Sequence, residues 1–207
     1  MGNIEMLANK MDKLGVLNTT QKEYQEFIII GFTETWLLRH SGGYSGFKCV
    51  SPGFKAIQAR RDIRSSGKSK GGGITVLVNN RWCNTGHVTM KEEICSWDIE
   101  LLTVCLRPNY LPWEFTCVIL VVVYILPAAT ADTVCDVISL VIAWLQTKHP
   151  NAFVAMSGDF NQVSLSATLP TFQQCVPCST RGNKKLHLFY AYVKDAYSSS
   201  ALPPLGK

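Results

Sequence analysis

The chain reads as an α/β domain in which strands, helices and long loops alternate, with chemistry placed on loops at strand ends. Three stretches set that reading. "CVILVVVYILPAA" is a run of about ten apolar, β-branched-rich residues before Pro127, the mark of a central strand buried on both faces. "TADTVCDVISLVIAWLQTKHP" carries apolar residues at 134, 138, 141, 142 and 145, the spacing of an amphipathic helix that stops at His149 and Pro150. "AFVAMSGDFNQ" is apolar from Phe153 to Met156 and then sets Asp159 and Asn161 two positions apart in a turn.

The remaining elements follow in order. "EFIIIGFTETWL" predicts a buried strand over Phe27 to Gly31 that delivers Thr33, Glu34 and Thr35 at its end. The segment from Arg39 to Gly73 is rich in Gly, Ser and basic residues and reads as an exposed loop. Lys55, Arg60, Arg61, Arg64, Lys68 and Lys70 gather positive charge there. Such a loop can neutralise nucleic-acid phosphates, and it equally fits a solvated surface; charge alone leaves both open. "GGGITVLVNNRWC" alternates like a strand and closes on Asn79 and Asn80. "DIELLTVCLRP" and "FTCVILVVVYILP", joined through "NYLPWE", suit an antiparallel hairpin. After the helix and the strand into Asp159, a last strand pair is expected around "LHLFYAYV".

Length and composition bound the function. The 207 residues, 47% hydrophobic and 17% charged, describe one globular domain over residues 1–207 and not a disordered chain. A net charge of +5 permits a polyanionic partner without requiring one. The N-terminus "MGNIEMLANKMDKL" has no continuous apolar core of a signal peptide, and Met6 stands where a myristoylation motif needs Ser or Thr. The longest apolar run is too short for a bilayer-spanning helix of about twenty residues, so no membrane association is expected. These features predict an intracellular protein, nuclear or cytoplasmic, whose eight cysteines are reduced. Cys175 and Cys178 have CxxC spacing, but no second pair completes a zinc site, and both read as packing or loop thiols.

The acidic strand ends are the chemistry-bearing feature. A hard divalent cation such as Mg²⁺ takes one or two carboxylate oxygens and keeps its other waters. Glu34 at one strand end can hold such an ion, Asp159 can orient or deprotonate a water, and Asn161 can donate to a developing oxyanion. Asp and Asn are also common turn residues, so "GDFN" taken alone fits an ordinary turn as well.

Several blocks taken together, "NIEMLANKMDKL", "FTETWL", "SGKSKGGGITVLVNNRWC", "DIELLTVCLRPNYLPWEF", "VVVYILPAA", "GDFN", "TRG" and "VKDAY" with "PPLG", cover nearly the whole chain. In this order they resemble the endonuclease domain of non-LTR retrotransposons, within the endonuclease/exonuclease/phosphatase superfamily of deoxyribonuclease I-like folds. The resemblance implies a four-layered α/β sandwich, two packed mixed sheets with helices outside. It also implies Mg²⁺- or Mn²⁺-dependent nicking of DNA through contacts to the phosphate backbone, with no other small-molecule cofactor. Carried across by motif, Glu34 is the expected metal ligand. Tyr124 lies beside the phosphate, Asp159 orients water with Asn161 as its partner, and Asn3 ends the first strand. Thr180 and Arg181 in "STRG", and Asn79, are expected on the substrate side.

Three departures qualify that expectation. Where the family has an aspartate that orients its catalytic histidine, "KLHLFY" places His187. The family's terminal Ser-Asp-His block is expected beyond "PPLG", and the sequence ends at Lys207. The first strand, which in the family precedes Asn3, is expected to be absent, so the sandwich is expected to be truncated at both ends. His187 starts from the wrong backbone position to replace the lost histidine, since displacement of about 1 Å can cost about 100-fold. The predicted protein is therefore an endonuclease impaired or inactive in cutting, or a non-catalytic DNA- or protein-binding form of the same scaffold.

Overall fold

The computed structural model describes residues 1–4, 6–37, 53–67, 71–193 and 199–200. Cys49, Lys68, Lys70, all but the valine of "VKDAY", and "PPLG" lie outside the described residues.

Two sheets form the frame. The first contains β1 (Gly2–Asn3), β2 (Ile29–Thr33), β4 (Ile74–Asn79) and β3 (Phe54–Ala59), in that spatial order. Its β1–β2 pair is parallel and its other pairs are antiparallel. The second runs β5 (Val88–Cys95), β6 (Ile99–Leu106), β7 (Cys117–Ile125), β8 (Ala152–Asp159), β10 (His187–Ala191) and β9 (Gln173–Gln174). Here β7 and β8 are parallel, and the remaining pairs are antiparallel. The parallel pair needs a crossover, and α4 (Ala131–Lys148) supplies it.

Period-2 side-chain alternation sorts the apolar residues into layers. Leu102, Val104, Val122 and Ala155 of the second sheet meet Ile74, Val76 and Val78 of the first. On the other face, Leu101, Ile119, Val121, Val154 and Met156 pack against α4. The helix presents Val134, Ile138, Val141, Ile142 and Leu145 to them, the positions expected from spacing. Burying each such side chain contributes about 1.5–3 kcal/mol relative to exposure. Outside the first sheet, Phe32 and Leu77 pack on Leu14 of α1 (Met11–Thr20) and on Leu7 of a preceding 3₁₀ turn. A short α2 (Lys22–Glu26) leads into β2. The result is a four-layered sandwich of helix, sheet, sheet and helix. No helix among the described residues is long and apolar enough to cross a membrane.

Two expectations need correction. The strand predicted over Phe27 to Gly31 begins at Ile29, because α2 runs to Glu26 and Phe27 caps its end. The stretch read as an exposed loop contains β3, paired with β4 along its whole length, and α3 (Ile63–Ser66). The residues of β3 are partly covered on both faces, Phe54 and Ala56 on one and Ile57 and Ala59 on the other, so the alternation that marks a half-buried strand is missing. Gly2 and Asn3 pair in parallel with Phe32 and Thr33.

Candidate active site

One lateral row of the second sheet gathers the chemistry. Glu100 of β6 is in register with Tyr124 of β7, Tyr124 with Asp159 of β8, and Asp159 with His187 of β10. Alternation puts this row on the face turned toward the first sheet, one step beyond Leu102 and Val122. Tyr124, Asp159 and Glu100 are buried, and His187 is mostly covered. Gly158 belongs to the same construction. A Cβ there would run into the Val123 carbonyl across the parallel pairing, so only glycine lets β7 and β8 close beside Asp159.

Glu34 reaches the row from the other sheet, just past the end of β2. Glu34 (φ 58°) and Trp36 (φ 55°) both adopt the left-handed region, which costs about 1–3 kcal/mol for each non-glycine residue. The surroundings hold them there. Thr35 N and Trp36 N donate to the carbonyls of Gly73 and Gly72, while Met6 N and Leu7 N donate to those of Glu34 and Thr35. The carboxylate is aimed by two donors to one oxygen: Trp36 Nε1 at 2.6 Å and Gly72 N at 2.9 Å, both to Oε2. Gly72 and Gly73 have φ of 73° and 84°, and a Cβ on either would strike Arg61 or Thr35. The glycine run is thus a close-approach device around the carboxylate.

Tyr124 links the two sheets. Burial is the main cause pushing its phenol far above the usual tyrosine value. A hydrogen bond with Glu34 and the charges of Glu34 and Asp159 add to that rise, and Arg61 opposes it. The phenol therefore stays protonated and serves as a donor at neutral pH. Arg61 stacks over its ring, 5.9 Å from the centroid, while its Nε donates to Glu100 Oε1. Glu100 Oε2 accepts from Gly73 N at 2.6 Å. Burial pushes the Glu100 carboxyl up, against the pull of Arg61 and Gly73.

On the far side of Tyr124, Asp159 Oδ1 accepts from Asn161 N at 3.1 Å. Asn161 is left-handed, φ 50°, and its Nδ2 donates to the Ile125 carbonyl at 2.5 Å. An amide NH₂ has two hydrogens, so this anchoring leaves one for a ligand. His187 Nε2 lies 3.6 Å from Asp159 Oδ2. Thr180 Oγ1 accepts from Leu186 N and His187 N at 2.9 and 3.0 Å, fixing the start of β10.

The expected site residues divide by position. Glu34, Tyr124, Asp159, Asn161 and His187 come together, with Thr180 holding the backbone under His187. Asn3 is placed by its backbone beside Thr33, one residue before Glu34. Arg181 is exposed on a turn closed by a bridge to Lys184. Asn79 is not at the site: it ends β4 beside Ile28, where β2 begins, and Glu34 follows the opposite end of β2. Its carboxamide donates to the carbonyls of Gln25 and Phe27 and accepts from Arg81 N, which makes it a local brace. Two of the loop cations are also internal. Lys55 Nζ donates to the Thr85 and Val88 carbonyls, and Arg61 is buried on Glu100. Arg60 bonds Gln58, leaving Arg64 as the exposed cation among the described members of that group.

Sequence reasoning missed Glu100, Arg61 as its partner, and Trp36 as the donor to Glu34. The signal for Glu100 was a lone carboxylate inside the apolar run "DIELLTVCL", since a buried charge demands a partner.

The donor set suits a hard cation. Glu34 Oε2 is held by two N–H groups, so the carboxylate is preorganised. No group of three or more His, Cys, Asp or Glu among the described residues forms a ready-made metal cage. Mg²⁺ commonly binds through one or two carboxylates and several waters, which these residues can provide.

The fold is the α/β sandwich of the endonuclease/exonuclease/phosphatase proteins. It is similar to D. rerio TDP2 in complex with single-strand DNA product, with a TM-score of 0.59 and 12% identity over 100% of this chain and 89% of that one. It is also similar to an endonuclease/exonuclease/phosphatase family protein from Bacteroides thetaiotaomicron, at 0.58 and 9% over 92% and 81%. For the AP endonuclease LMAP from Leishmania major the values are 0.53 and 15% over 77% and 54%. At these identities the likeness establishes the fold. No family model matches the sequence, and no curated protein matches it.

Proposed function

We propose that the chain is a divalent-metal-dependent DNA endonuclease domain of non-LTR retrotransposon origin, acting on phosphodiesters and impaired by His187. The observation that carries this reading is the position of Tyr124, in register with Asp159 on the second sheet, its phenol pushed up by burial and then by the neighbouring Glu34 carboxylate that reaches it from the first. Glu34 would hold Mg²⁺ or Mn²⁺, which supplies Lewis-acid stabilisation of phosphate charge. Tyr124, kept protonated, donates to a non-bridging phosphate oxygen. Asp159 orients the attacking water and takes its proton, with its carboxylate fixed by Asn161 N. The second hydrogen of the Asn161 amide points a donor at the developing oxyanion. The solved structures of similar fold include a DNA-product complex and an AP endonuclease, which favours DNA as substrate. Exposed Arg181, Lys184 and Lys185 before β10 offer contacts to the backbone.

His187 gives a second reading its footing. Its Nε2 faces the oxygen of Asp159 that would manage the water, and a protonated imidazole there would neutralise that base. In this reading the scaffold binds DNA or a protein without cutting. Nicking of supercoiled plasmid in Mg²⁺ decides between them. Slow nicking that disappears in Glu34→Ala and rises in His187→Asp supports the endonuclease. Salt-sensitive DNA retention without nicking in any of the three proteins supports the binding module.

A further inference from the structure

The loop that joins β6 to β7, Arg107 to Thr116, lies at the end of the second sheet away from the candidate site. β7 runs nine residues from Cys117 to Ile125, which at about 3.3 Å per residue sets the loop roughly 25 Å from the row through Tyr124. Both of its ends are braced. Arg107 N donates to the His87 carbonyl at 3.1 Å, Asn109 N to that of Trp82 at 2.9 Å, and Thr116 N to that of Asn151 at 2.8 Å. Phe115 turns inward onto Phe153 and Tyr192, with ring centroids 5.5 and 6.5 Å away. Tyr110 and Trp113 do the opposite. They are 91% and 96% exposed, so the fold gains nothing from rings that can each bury about 150–250 Å². Cations stand at the base of the same loop. Arg107 begins it, and Lys148 and His149 end α4 just before Asn151, which holds Thr116. Burial first, and then the charges of Lys91 and Arg107, push the His149 imidazole down, so both cations act at that point. Lys91, Arg107 and Lys148 are all exposed. Glu114 is the carboxylate of the loop, while Glu92 and Glu93 lie further along the sheet, paired with Thr103 and Leu102.

We propose that this end of the sandwich binds single-stranded DNA, with bases stacked on Trp113 and Tyr110 and phosphates held by Arg107, Lys91 and Lys148. An unpaired strand needs two things from a surface, ring faces for its bases and cations along its backbone, and this loop and its base supply both. A duplex keeps its bases stacked on one another and offers such rings only its ends. A protein partner fits less well, because lysine is depleted at protein interfaces and two of the three cations are lysines. The surface shares no residue with the candidate site, so the inference holds whether or not the chain cuts DNA.

The test is fluorescence anisotropy of a short labelled oligothymidylate mixed with the purified full chain in EDTA at low salt, where neither cutting nor a metal contributes. Trp113→Ala should weaken binding by about 5- to 150-fold, the range for one lost base stack, and Tyr110→Ala by a factor in the same range. Trp113→Phe, which keeps a ring, should lose less. Arg107→Ala and Lys91→Ala should each lower the slope of log affinity against log salt by about 0.7. A duplex of the same length should bind more weakly than the single strand. Both rings are exposed, so their replacement leaves the fold intact, which circular dichroism checks. Unchanged affinity in both aromatic variants would overturn the proposal, by assigning any binding to charge alone or to the candidate site. So would equal affinity for the duplex, or no binding of the strand by the wild type.

Discussion

Arg61 Nε donates to Glu100 Oε1 at the inner edge of the candidate site, and the two residues are only 7% and 3% exposed. Together they hold the glycine turn against Tyr124, because Glu100 also accepts from Gly73 N and Arg61 lies over the phenol ring. Removing one partner leaves the other charge buried, which typically costs about 3–5 kcal/mol. Arg61→Ala and Glu100→Ala should each destabilise the fold by that amount in urea unfolding. The double replacement Arg61→Met with Glu100→Leu should cost less than either, since it removes both desolvated charges.

Tyr124 makes a separate statement at alkaline pH. Its phenol is held far above its ordinary value, first by burial and then by Glu34. In the unfolded chain it titrates near the ordinary tyrosine value of about 10. The contribution of Tyr124 to stability is therefore fully present below pH 10. It is lost progressively as the pH rises beyond that, because the unfolded state releases the proton first. Tyr124→Phe should flatten the decline in stability between pH 10 and higher values. Urea midpoints measured across that range check it, and an unchanged slope would show that Tyr124 is not held protonated.

Gly158 is expected to be intolerant of even one methyl group. A Cβ there meets the backbone of Val123, which cannot move aside as a flexible side chain would. Gly158→Ala should cost at least the upper end of the about 1–3 kcal/mol range for overpacking. It should also displace Asp159, so metal-dependent nicking should fall together with the melting temperature.

Asn161 separates strain from chemistry. Its φ of 50° favours glycine among replacements. Asn161→Gly should keep the turn and lose the anchor to the Ile125 carbonyl, whereas Asn161→Ala adds about 1–2 kcal/mol of backbone strain. If the carboxamide acts in catalysis, both variants should lose nicking to a similar degree despite their different stabilities. Retained nicking in Asn161→Gly would reduce the residue to a turn former.

Much of this arrangement was legible in the chain itself. The helix stripe from Val134 to Leu145, the central strand carrying Tyr124 and the acidic ends at Glu34 and Asp159 were all visible. Each is a local pattern enforced by burial. The missed features depend on what a residue meets across space. Arg61 sits among exposed-looking Gly, Ser and basic neighbours, and Glu100, thirty-nine positions away, draws it inside. β3 has both faces partly covered, with Phe54 and Ala56 toward α1 and Ile57 and Ala59 toward the second sheet, so no apolar–polar alternation marks it. Asn79 closes a strand as Asp159 does, but at the opposite end of the sandwich, and polarity along a strand does not reveal which end carries the site.

The central claim is that Glu34 and Tyr124 of opposing sheets, with Asp159 in register, form a cation-dependent phosphodiesterase centre. Anomalous diffraction from a crystal soaked in Mn²⁺ tests it most directly. The account requires a peak at coordination distance, about 2.1 Å, from a Glu34 carboxylate oxygen. It also requires loss of that peak in Glu34→Ala. A wild-type crystal with no ion at Glu34, or with the Glu34 carboxylate turned away from Tyr124 and Asp159, would contradict it.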